Sequence, residues 1–211
     1  MELGIVVSSG GAALAEILRI SGDAGIGFTV ISDRVCGAEA VAEKAGARLL
    51  RIEEKKRRDF SREVAQAARA CQVERILLFF DRLVTSELFH AIPTANVHPA
   101  ALPAFKGLTG VEDAHAARVR LLGCSLHVVD ETMDGGPLIC QLARGVEPDW
   151  PLARWQKMAF LMKVYCGLVW VSTSASLKAS LPPLNASHGL PDAWMHSFRE
   201  LQKREGEAVI A

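Results

Sequence analysis

Short, strand-like runs rich in apolar residues alternate with stretches in which apolar residues recur at helical spacing. Residues 4–7, 27–32, 48–52, 75–80 and 95–98 are the runs, with the length and composition of strands buried on both faces. Between them, residues 12–20 put Leu14, Ile17 and Leu18 on one helical face, and residues 38–45 and 60–71 repeat the pattern. Asp59 or Ser61 is the candidate N-cap of the last of these helices, and Thr85-Ser86 opens a short helix ending near His90. Strand and helix in regular alternation predict an α/β fold with a doubly wound, mostly parallel, Rossmann-like sheet.

After residue 120 the rhythm changes. Residues 124–130 and 138–142 read as two strands around the turn Gly135-Gly136-Pro137, an antiparallel extension of the sheet. Residues 152–173 form one long apolar helix, residues 181–191 are loop-rich, and residues 194–205 read as a solvent-facing terminal helix. The expected organisation is a main domain over residues 1–180, with a loop and helix over 181–211 appended to it.

Composition narrows the function classes. Half of the 211 residues are hydrophobic, so a sizeable core is available. Twenty-four basic and 24 acidic residues cancel, and no basic surface advertises nucleic acid. No apolar stretch is long enough to span a bilayer, and Met1 leads straight into a strand-like run without a basic leader. The five cysteines are scattered, with no C-x-x-C pair. They read as reduced, mostly buried thiols of a cytoplasmic protein.

The candidate chemistry lies at strand ends, where ligands of open α/β sheets bind. Asn96 and His98 are two apart in a strand and so project from one face, just before Pro99. A lone histidine is more often structural than catalytic; the paired amide and the strand-end position favour chemistry. Asp134 sits in Met133-Asp134-Gly135-Gly136-Pro137, where Asp-Gly also suits a plain turn. Ser8-Ser9-Gly10-Gly11 precedes a helix and could hold an anion with backbone N–H groups, or serve only as a tight turn. It is neither G-x-G-x-x-G nor a P-loop, so Asp33 after the second strand is weak support for a dinucleotide enzyme. Asp81-Arg82 reads equally well as a surface ion pair, and the run Lys55 to Arg58 as a solvated helix entry. No metal is expected, because the six histidines form no H-x-x-x-H or H-E-x-x-H pattern. No G-x-S-x-G elbow announces a serine hydrolase.

These segments resemble the folate-dependent formyltransferases, most closely the glycinamide ribonucleotide transformylase branch. Asn96-Val97-His98-Pro99, with Leu102-Pro103 and Gly107-Leu108 after it, matches the family's first motif; residues 123–137, ending in Asp134-Gly135-Gly136-Pro137, match its second in register. The resemblance implies a formyltransferase fold and 10-formyltetrahydrofolate as donor. Asn96 and protonated His98 would stabilise the tetrahedral oxyanion; Asp134 would hold the imidazole and help relay the amine proton to the leaving nitrogen. It assigns the pterin to Asp81, Arg82, Leu83 and Val84 and to Asp130, Glu131, Thr132 and Met133, with Arg62 at an anionic end of a ligand.

The departures concern the acceptor, a small amine. Where the purine branch grips a ribotide phosphate with Gly-Asn-Gly-Ser-Asn, this chain offers Ser9-Gly10-Gly11-Ala12-Ala13. Losing two or three hydrogen bonds there would cost on the order of 10²-fold in affinity. The long helix carries Lys157-Met158-Ala159-Phe160-Leu161 where the branch has a Gln-Glu-His cluster, and Thr109 and Val111 replace family histidines. The leading expectation is therefore an N-formyltransferase whose acceptor differs from glycinamide ribonucleotide, monomeric or homodimeric. Its rivals are an ordinary purine transformylase with a divergent phosphate loop, a formyltransferase of amino sugars or of tRNA-bound methionine, a catalytically idle folate-binding protein and, on fold rhythm alone, a dehydrogenase.

Overall fold

The computed structural model describes residues 1–173 and 190–210. The expected domain boundary after residue 180, and the loop-rich reading up to residue 189, lie outside the described residues. The strands are β1 Glu2–Val7, β2 Gly27–Ser32, β3 Arg48–Arg51, β4 Arg75–Phe79, β5 Thr94–His98, β6 Leu121–Val128 and β7 Leu138–Gly145, hydrogen-bonded in the order β3-β2-β1-β4-β5-β6-β7. The pairs among β1 to β5 are parallel, whereas β6 and β7 are antiparallel. This is the α/β sheet with an antiparallel extension that the apolar rhythm predicts. The chain forms two compact units: Met1–Asn96 with Val128–Glu131, and Val97–His127 with Thr132–Ala211.

In the first unit, Leu3, Ile5, Val6 and Val7 of β1 are all buried, as a central parallel strand requires. Helix α1 Ala12–Ser21 buries Leu14, Ile17 and Leu18, and α2 Gly37–Lys44 follows β2. Helix α3 Arg57–Ala70 packs Phe60, Val64 and Ala68 into a cluster with Val6, Ile76 and Ile92. Each such large apolar side chain contributes about 1.5–3 kcal/mol by leaving water. The helix starts at Arg57, so Asp59 and Ser61 are not its N-caps; Lys56 stands there without a side-chain cap bond. Ser61 is buried, and its hydroxyl instead accepts the Thr85 N–H at the head of α4 Ser86–Phe89. Of the basic run, Arg57 and Arg58 form the first turn of α3 and are exposed.

Among the described residues, the second unit holds the β6–β7 pair and three helices. Helix α5 Gly110–Ala116 escapes the periodicity argument because seven residues with only Val111 and Ala114 buried side chains beside Gly110 carry too little pattern. Helix α6 Leu152–Ser172 buries residues around most of its circumference, from Trp155 to Val171. Helix α7 Asp192–Glu205 is not simply solvent-facing. Trp194, Phe198 and Leu201, spaced i, i+4, i+7, are buried, and Phe198 meets Tyr165 of α6 with ring centroids 5.4 Å apart. Gln202 then ties down the chain end by accepting the Val209 and Ile210 N–H groups at 2.6 and 3.0 Å.

Candidate active site

Strand β5 delivers both Asn96 and His98, two residues apart and therefore on one face. His98 is 3% exposed. Its Nε2 lies 2.7 Å from the carbonyl oxygen of Phe105, and its Nδ1 lies 3.6 Å from Asp134 Oδ2. The first is a hydrogen bond; the second is an ion-pair distance just beyond one. Both neighbours are acceptors. A neutral imidazole can donate to only one of them, while the imidazolium serves both. Gly110 is needed at the rim, since a Cβ there would sit 3.2 Å from both His98 Nε2 and the Phe105 oxygen.

Asp134 is the hub of this cluster. Its backbone adopts φ +47, in the left-handed region that Asp tolerates better than most residues. Oδ2 accepts the Gly107 N–H at 2.9 Å, and Oδ1 lies 3.5 Å from His127 Nε2. Burial alone would push the carboxyl up. Hydrogen bonding from His127 and Gly107, with positive charge at His98 and His127, outweighs it and holds the group below the usual carboxylate range. Asp134 is therefore an anion fixed beside two imidazoles.

The turn after His98 is clamped by Ser125. The Ser125 hydroxyl donates to the Ala100 carbonyl at 2.7 Å and accepts the Leu102 N–H at 3.1 Å, and Gln141 Nε2 donates to it at 2.9 Å. Ser125 and His127 are alternate buried residues of β6, yet neither features in the sequence-based site. Their signal was two polar side chains at i and i+2 in an otherwise apolar strand.

In the first unit, Asp81 donates its N–H to Ser8 Oγ at 3.2 Å, which brings the ends of β1 and β4 together. Gly11 caps α1 at φ +79, where a Cβ would lie 2.6 Å from Ala38 Cα; no side chain can occupy this corner. Arg82 does not pair with its neighbour Asp81. It reaches Asp33 Oδ2 at 3.2 Å, donates to the Glu54 and Lys55 carbonyls, and lies 4.8 Å from the centre of the Phe60 ring. Arg34 grips Asp33 through both oxygens and also reaches Asp81. Asp33 is thus an ion-pair hub; burial raises its carboxyl, but the two arginines bring it below the usual range. Arg62 pairs with Asp59 at 2.6 Å, and Glu131 with His90 at 2.9 Å. Val84 packs on the first-unit core, while Leu83 and Met133 are 41% and 52% exposed. Asp130 and Thr132 complete the stretch before Asp134, and the Thr132 carbonyl accepts the Gly135 N–H at 3.4 Å. All five cysteines are free thiols, but only Cys124 and Cys166 are buried, fewer than expected. No group of metal-ligating residues is present among the described residues, and none of their helices is long and apolar enough to cross a membrane.

A strand-end histidine held by a carboxylate in an α/β sheet with an antiparallel end is the frame of a group-transfer enzyme, and comparison specifies which kind. Residues 5–155 match the formyl transferase family. The chain belongs to that family. It is 32% identical over 149 residues to the phosphoribosylglycinamide formyltransferase of Mycobacterium tuberculosis, covering 65% of this chain and 68% of that one. It is 39% identical over 87 residues to the Bacillus subtilis enzyme of the same name, covering 40% of this chain but only 45% of the relative. The crystal structure of glycinamide ribonucleotide transformylase 1 from Symbiobacterium toebii superposes with a TM-score of 0.72 at 28% identity, over 78% of this chain and 82% of that one.

Proposed function

We propose that this chain transfers the formyl group of 10-formyltetrahydrofolate to the primary amine of glycinamide ribonucleotide. The observation that carries the reading is the anionic Asp134 held against buried His98 on the strand that also bears Asn96. The amine nitrogen attacks the formyl carbon, and the carbonyl oxygen becomes an oxyanion. Asn96 and the His98 imidazolium stabilise that charge. Asp134 orients the ring and assists passage of the amine proton to N10 as the bond from carbon to N10 breaks. For His98 Nε2 to meet the oxyanion, it exchanges its bond to the Phe105 carbonyl for one to the reacting group. Arg62, Asp81, Arg82, Leu83 and Val84, with Asp130, Glu131, Thr132 and Met133, are proposed to hold the donor; the exposed apolar side chain of Leu83 suits a flat pterin ring. Ser9, Gly10 and Gly11 are proposed to meet the acceptor at the start of α1.

The named relatives favour the ribotide as acceptor. One observation favours a different amine: Ala12 and Ala13 open α1, which has no side-chain cap bond, so anion binding there would rest on backbone groups. Steady-state assays with 10-formyltetrahydrofolate and a panel of amines decide between them. Efficient turnover of the ribotide supports the first reading, and turnover of another amine alone supports the second. Release of formate without any amine, or donor binding without turnover, sinks both.

A further inference from the structure

Residues 100–107 bring two contacts of opposite kind to the cluster around His98. The Phe105 carbonyl accepts from His98 Nε2 at 2.7 Å, and the Gly107 N–H donates to Asp134 Oδ2 at 2.9 Å. One short segment thus touches both the imidazole and the carboxylate. Its backbone does not take that shape by preference. Phe105 has φ +53, in the left-handed region that a bulky side chain rarely adopts. A residue held there persists only where its surroundings fix it.

The start of the segment is fixed from the β6–β7 pair. The register sets Gln141 of β7 directly opposite Ser125 of β6, so the two side chains share one face. Gln141 Nε2 donates to the Leu102 carbonyl and to Ser125 Oγ, both at 2.9 Å. The carbonyl can only accept, which settles the end of the carboxamide that faces it. Ser125 Oγ also accepts the Leu102 N–H and donates to the Ala100 carbonyl. One donated and two accepted bonds use everything a hydroxyl offers. Ser125 is fully buried, whereas Gln141 is exposed on an outer strand of the sheet. A substitution at Gln141 therefore leaves the core packing alone.

We propose that Gln141 is a positioning residue for His98 and Asp134, acting through the backbone of residues 100–107. The proposal rests on the reading of His98 and Asp134 as the groups that carry formyl transfer. With the Gln141 amide in place, the turn at Ala100 and Leu102 is pinned, and the Phe105 carbonyl stays against His98 Nε2 until the reacting group replaces it. Without the amide, the Leu102 carbonyl and the Ser125 hydroxyl each lose a donor. The left-handed turn at Phe105 then relaxes, and the acceptor that sets the orientation of the ring moves away. Gln141 touches no substrate in this role, so its loss acts on turnover rather than on donor binding. A misplacement of about 1 Å passed on to such groups costs up to about 10²-fold in rate.

The test compares the unsubstituted full-length protein with Gln141→Leu and Gln141→Glu, which are close to glutamine in size but cannot donate the two bonds. Diethyl pyrocarbonate is applied to the resting protein, with neither donor nor acceptor added, and the modified histidines are mapped by mass spectrometry. His98 is expected to label about tenfold faster in both variants, the scale of one hydrogen bond lost over its ring. His115, whose Nε2 meets the Trp150 carbonyl at 3.0 Å, is expected to label at an unchanged rate. In steady-state assays, kcat is expected to fall roughly 10–10²-fold with the donor KM within about threefold. Unchanged labelling of His98 overturns the proposal, as does unchanged kcat in an active enzyme. Equal acceleration at His98 and His115 marks general loosening and overturns it too. An unsubstituted protein that transfers no formyl group removes the proposed function, while the labelling comparison still decides whether Gln141 fixes His98.

Discussion

Asp33 and Asp134 invite comparison. Both are largely buried carboxylates at the end of a strand or in the turn before one, and in both burial is opposed by cationic partners that keep the group ionised. They differ in the partners. Asp33 is held by the guanidinium groups of Arg34 and Arg82. Asp134 is held by His98, His127 and a backbone N–H. Arginine around a carboxylate makes a permanent ionic joint; histidine around a carboxylate makes one whose donors depend on the tautomer and charge of the ring. Similar electrostatics thus build an ion-pair scaffold in the first unit and, in the second, the cluster proposed to handle the proton.

The sharpest way to break the contrast is at the histidine. His98→Ala is expected to lower kcat by roughly 10²–10⁴-fold, the combined scale of general acid–base and oxyanion effects, while Arg34→Ala leaves kcat within about threefold because its guanidinium is half-exposed. Steady-state kinetics of the two variants side by side would settle this; equal losses would erase the distinction. Next in size, Asp134→Asn is expected to lose roughly 10²-fold in kcat with a small change in melting temperature, whereas Asp33→Asn loses about 1–3 kcal/mol of stability with kcat preserved. Chemical denaturation alongside the assay separates those effects.

Gly11→Ala tests the tight corner at the start of α1 through stability. A left-handed φ and a contact at 2.6 Å to the Ala38 backbone predict a loss of about 1–3 kcal/mol, read as a lower denaturation midpoint. The smallest effect is on pH. Asp134 titrates near 3.8 when unfolded and lower when folded. Its stabilising contribution is therefore complete above that value and declines as pH falls through the folded-state value. The stability gap between the unsubstituted protein and Asp134→Asn should be constant from about pH 5 upward and shrink below about pH 4. A gap that widens on acidification would contradict the assigned direction.

Much of this was legible in the string. Strands β1, β2 and β4 announce themselves because burial on both faces leaves mostly apolar residues in the run, whereas the short edge strand β3 shows only Leu49 and Leu50 between two arginines. Asn96 and His98 stand out because strand spacing sets them on one face. The remainder depends on distant partners. His127 follows a register shift at Leu126/His127, which disturbs the alternation that would have marked it as inward-facing. Asp33 offers no more than weak support for a ribose ligand in the string, and its real partner Arg82 lies 49 positions further along. Ser125 gives no local sign that its hydroxyl clamps residues 100 and 102. The C-terminal helix is different: Trp194, Phe198 and Leu201 carried the amphipathic spacing all along, and its many charges concealed it.

The hydrogen bond from the Gly107 N–H to Asp134 Oδ2 has a use beyond geometry. A main-chain amide that donates to a carboxylate senses whether that carboxylate bears a proton. The resonance of the Gly107 amide should shift as Asp134 titrates. The charge state of the proposed proton-handling group could then be followed by magnetic resonance in the resting protein, with neither donor nor acceptor present.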